Sequence, residues 1–105
     1  MKLVNVTPHP IKLIRGDKTF TFESEGIARV ETTQTVATTI NDVPFYKTVY
    51  GEVTGIPEPE EGVYYIVSAM VLNASERTDL VAPNTAKAIR DESGRIVGVD
   101  SFIVK

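Results

Sequence analysis

The five residues Val63–Val67, VYYIV, run without a polar break or a polar alternation. That pattern marks a central strand rather than a half-exposed one. Ser68 comes next and suits the cap of a helix over Ala69 to about Ser75. Leu80–Ala82 then forms a short apolar strand that stops at Pro83. No other part of the chain reads as helix. Elsewhere Gly, Pro, Asn and Asp cut the sequence into strand-length pieces. The expected fold is therefore mainly β, bordering on α+β: an antiparallel sheet, sandwich or partly closed barrel carrying one short helix.

The clearest local prediction is a hairpin over Ile11–Glu23. Gly16-Asp17 fits a two-residue type II′ turn. In that register Arg15 faces Lys18, Leu13 faces Phe20 and Ile11 faces Phe22, with the two apolar pairs on one face. On this reading Leu13→Asp would cost several kcal/mol, because it places an unpaired charge in an apolar cluster. Thr32–Ile40 is threonine-rich and favours strand. The chain turns at Asn41–Pro44. Phe45–Val53 returns with Phe45, Lys47 and Val49 on one face and Tyr46, Thr48 and Tyr50 on the other, and Gly51 is suited to a bulge. Gly55–Gly62, GIPEPEEG, is a stiff acidic connection. Ala86–Arg90 and Ile96–Val104 are expected to pair around Asp91–Gly94.

With 105 residues, the chain fits a single domain over 1–105, since two halves of about 50 residues without disulfides would each be too small for a core. Eleven basic and fourteen acidic residues give a net charge of -3, which argues against a nucleic-acid partner. The chain has no cysteine. A disulfide framework and thiol chemistry are thereby excluded, and a cytoplasmic location is the expectation. The longest apolar run, Val63–Ala74, is only about half of what a membrane-crossing helix needs. No membrane partner is expected.

No catalytic constellation stands out, so the chain does not read as an enzyme. It has one histidine, His9, set between Pro8 and Pro10. One imidazole does not make a zinc site, and neither a metal nor a cofactor is expected. Glycine-rich phosphate loops are absent from the sequence. Polar side chains instead collect just after the helix: Asn73, Ser75, Arg77 and Asp79, with Asn84, Thr85 and Arg90 beyond the next strand. Arg77 and Asp79 read either as a structural ion pair or as an anion clamp, because a guanidinium fork suits phosphate and carboxylate alike. The candidate ligand-binding set is Arg77, Asp79, Asn73, Asn84 and Thr85, with His9 as an outer member. An anionic small molecule is the expected ligand, with a homo-oligomer as the expected state, since a small β domain has sheet edges to protect.

Thr7-Pro8-His9-Pro10, Tyr50-Gly51-Glu52-Val53, Tyr65-Ile66-Val67-Ser68-Ala69 and Arg77-Thr78-Asp79-Leu80-Val81-Ala82-Pro83 together resemble a family of short bacterial and bacteriophage proteins. The resemblance spans nearly the whole chain and is most specific from Tyr65 to Pro83. It supplies no catalytic residues. What its setting implies is a phage anti-defence sponge that sequesters a nucleotide-derived immune signal. The alternative is a structural or protein-inhibitor module that works through a sheet edge or the acidic loop and takes no small molecule.

Overall fold

Three sheets and one helix make up the computed structural model, which describes residues 2–105. The core sheet holds β1 (Lys2–Asn5), β6 (Val63–Ile66), β7 (Leu80–Pro83) and β10 (Phe102–Ile103), in the order β1-β6-β7-β10. A second sheet holds β2 (Ile11–Arg15), β3 (Lys18–Phe22), β8 (Ala88–Arg90) and β9 (Ile96–Val99), in the order β3-β2-β9-β8. The third is a two-stranded ribbon of β4 (Arg29–Ile40) and β5 (Val43–Thr54). The fold is mainly β with one short helix, α1 (Ala69–Ala74), and none of the sheets closes into a barrel.

Pairing at the centre departs from the antiparallel expectation. β1 runs parallel to β6, and β6 runs parallel to β7. The cause lies between β6 and β7. Neighbouring parallel strands need a crossover, and α1 is that crossover. Ser68 caps it as the sequence implies, its hydroxyl accepting from the Val71 amide at 3.2 Å. α1 turns Val71 and Leu72 onto a core formed with Val6, Tyr65, Val67, Leu80 and Ala82. β1 reaches the same core from the far end of the chain.

The Gly16-Asp17 hairpin has the expected register in full: Arg15 opposite Lys18, Leu13 opposite Phe20 and Ile11 opposite Phe22. Gly16 has φ of 63°, as the first position of a type II′ turn requires. The apolar face is less covered than the pattern implies. Leu13 is half-buried and Phe20 is 47% exposed. Leu13→Asp is therefore expected to cost about 1–2 kcal/mol rather than several, because water reaches part of the new carboxylate. Urea unfolding of the variant measures this.

The C-terminal pairing is also divided. Ile96–Val104 does not continue as one strand. β9 pairs with β8 and, in parallel, with β2 at Val99 and Leu13. The chain then bends at Asp100-Ser101, and β10 joins β7 in the core sheet. This step couples the two sheets, and Phe22 meets Phe102 edge-to-face across it at 6.3 Å.

Candidate functional site

The Thr7–Pro10 turn hangs on one buried amide. Asn5 is fully buried at the end of β1. Its Nδ2 donates to the carbonyls of His9 at 2.7 Å and Phe22 at 2.8 Å. Its Oδ1 accepts from the Thr7 amide at 2.9 Å and the Thr7 hydroxyl at 2.6 Å. Ser24 closes the arrangement by donating to the Thr7 carbonyl at 2.6 Å. Prolines at 8 and 10 remove two backbone donors from the turn, and the Asn5 amide serves its carbonyl side. His9 takes part through its carbonyl, and its side chain lies on an exposed turn. Asn5 did not stand out in the sequence. The available signal was an amide inside the apolar strand LVNV, just ahead of a proline-rich turn.

Arg77 and Asp79 are brought together as a two-pronged pair. Nε donates to Oδ1 at 2.9 Å and Nη2 donates to Oδ2 at 2.6 Å. The remaining Nη1 donates to the Pro57 carbonyl at 2.9 Å. The guanidinium lies over the Tyr65 ring, 5.6 Å from its centroid, and the Tyr65 hydroxyl donates to the Glu58 carbonyl at 3.2 Å. Arg77, steadied by Asp79, and Tyr65 fasten the acidic Pro57–Glu58 connection to the exit of α1. Hydrogen bonding from Arg77 holds the Asp79 carboxyl below its usual range, with burial opposing.

The other expected ligand residues do not gather around this pair. Asn73 is exposed on α1. Asn84 donates to the Ser101 hydroxyl at 3.1 Å. Thr85 lines a cleft of about 550 Å³ with Lys12, Pro83 and Val97, whereas Arg77 borders a separate one of about 380 Å³ with Tyr64, Glu76 and Lys105. Within the second cleft Lys105 is already held by the Ser75 carbonyl at 3.0 Å and by Glu76 at 3.3 Å.

The most exposed apolar surface lies elsewhere. β4 and β5 form a ribbon of twelve residues per strand, closed by Asn41-Asp42. Both turn residues have positive φ, 51° and 64°. That is the type I′ geometry, which matches strand twist. At its base Val30 and Val53 pack against the core. Beyond them every residue of the ribbon is exposed. Val36, Tyr46 and Tyr50 lie on one face, and Ile40, Val43, Phe45 and Val49 lie on the other, all more than 40% exposed. A compact chain of this length has a radius of gyration of about 13 Å, whereas this one has 16.6 Å and extends 54 Å along its longest axis. The ribbon is an arm.

Comparison with known proteins returns no matching family model, curated protein or solved structure. Among the described residues no helix is long and apolar enough to cross a membrane.

Proposed function

We propose that this protein is an interaction module, a small β head that presents the β4–β5 arm to a protein partner. The observation that carries this reading is the arm's exposure of large apolar side chains on both faces, beyond the reach of the head. Soluble monomers rarely leave such contiguous apolar surface open, and an uncovered patch of this kind marks a contact surface. An isolated two-stranded ribbon is marginally stable in water, so a partner that covers the arm also orders it.

The anionic-ligand reading, including a nucleotide-derived signal, has one observation in its favour. The cleft at Thr85 and Lys12 has a volume within the range of small-molecule sites. Against it stands the commitment of Arg77, whose fork already holds Asp79 and Pro57. A ligand there would first have to break a paired carboxylate contact.

Arg77→Ala separates the two readings. On the interaction reading the change costs about 1–2 kcal/mol of stability, since it strips a half-buried carboxylate of its partner. Calorimetry with a panel of nucleotides should then give no binding in either protein. The stability difference also depends on pH. The Asp79 carboxyl is lowered in the folded state, so its contribution is present above its unfolded value and is lost as pH falls through its folded one. The gap between wild type and Arg77→Ala should narrow below about pH 4. A nucleotide that binds wild type and is lost in the variant, with stability unchanged, would establish the ligand reading instead.

A further inference from the structure

The arm's two outer edges differ in chemistry. β5 carries the devices that discourage pairing: Pro44, Lys47, the Gly51 irregularity and Glu52. β4 carries neither proline nor charge from Thr32 to Ile40, and its one irregularity there is the bulge at Ala37, where the register on β5 shifts. That nine-residue stretch, TTQTVATTI, holds no charge, no proline and no glycine. It is rich in β-branched residues, and none of the described strands except β5 pairs with it. A neutral edge of high strand propensity is a template for another strand.

We propose that the occupant of this edge is β4 of a second copy, paired antiparallel about a two-fold axis near Thr35. The proposal rests on the interaction reading and names its partner. Self-pairing fits the charges. Centred on Thr35, it sets Arg29 of one arm opposite Asn41 and beside Asp42 of the other, while Glu31 faces Thr39. The closest opposed charges are then of opposite sign. It also fits the arm's need for neighbours, because two ribbons become one four-stranded sheet, and three or more strands are what an independent sheet requires. The contact is isologous and closes on itself, so it gives a dimer and not a fibre. The two heads lie at opposite ends of the joined arms, each beside the other's arm tip and about 40 Å of strand from the other head.

The test is a charge exchange at the axis. Within one arm Thr35 lies opposite Lys47, so Thr35→Glu gains a favourable neighbour in the monomer while setting two carboxylates against each other across the axis. Sedimentation analysis should show the wild type as a dimer at high micromolar concentration. Thr35→Glu and Thr35→Lys should each weaken self-association at least about tenfold, and a mixture of the two should restore it. A dimer indifferent to both changes would overturn pairing through β4. A monomeric wild type would overturn self-pairing altogether. Binding of an apolar dye then decides the fate of the reading beneath it. Dye binding by that monomer, lost in Phe45→Lys/Tyr46→Lys, leaves the arm as a surface for a different partner. No arm-dependent dye binding would remove the interaction reading as well.

Discussion

Replacing Asn5 with alanine is expected to cost about 3–4 kcal/mol, a large share of the 5–15 kcal/mol that holds a domain of this size together. The side chain is fully buried and uses all of its hydrogen-bonding capacity, two donations and two acceptances. Its removal leaves the buried Thr7 amide and the part-buried Phe22 carbonyl without that partner, while the His9 carbonyl keeps the Thr7 hydroxyl at 2.9 Å. Each orphaned group carries a desolvation cost of about 1–3 kcal/mol, and relaxation recovers only part of the sum. Asn5→Asp tests the same network in another way. It keeps the acceptor but turns two donations into contacts between oxygens. The carboxyl is favoured in its neutral form there, so its folded-state pKa rises above the unfolded value. The variant should therefore lose stability as pH rises through the unfolded carboxyl range and regain it in acid. Urea unfolding at neutral and acidic pH gives both numbers. A loss below about 1 kcal/mol for Asn5→Ala would mean that water replaces the amide without penalty.

Gly55→Ala is expected to cost more than about 2 kcal/mol, by a separate route. Gly55 has φ of 88°, a region that L side chains rarely adopt. A Cβ there would also press into the Ile27 carbonyl, with the Ile27 carbonyl carbon at 3.0 Å and the Ala28 Cα at 3.1 Å. Every one of these obstacles is main chain, so no rotamer change relieves them. Gly62 is the internal comparison. It has φ of 78° but nothing within 4 Å of its added Cβ. Gly62→Ala should therefore show the backbone strain alone, about 1–2 kcal/mol. Thermal unfolding of the two variants isolates the close approach at Gly55 as the difference. Equal losses would mean that the base of the arm gives way freely.

What the sequence made legible was local. Gly16-Asp17 set the register of β2 on β3 because a two-residue turn leaves no other choice. Ser68 and Pro83 bounded α1 and β7 because capping and the missing proline donor act over one or two residues. The parallel pairing was harder to see, because β1 joins β6 from about sixty positions away and the pairing of β6 with β7 depends on where α1 packs. A strand, a helix and a strand in succession at Val63–Pro83 was the available signal. Alternation along Phe45–Val53 correctly sorted its side chains into two faces but could not show that neither face is covered. Burial there depends on what stands opposite, and the head stops at Val30 and Val53. Arg77 and Asp79 were legible as a pair. The Pro57 carbonyl that occupies the third prong of the guanidinium lies twenty residues away and left no mark in the local pattern.

The contact between Gly55 and Ile27–Ala28 has a consequence for the arm's length. The chain departs for the arm and returns from it at adjacent points, so the head sees the whole excursion as a single closed stitch. Lengthening or shortening the ribbon by matched pairs of residues near Asn41-Asp42 leaves that stitch in place, and closing a longer loop adds only about 0.6 kcal/mol per doubling. The head and the reach of the arm are thus separable properties of this sequence. Selection could retune how far the arm stands out from the head without disturbing a residue of the core.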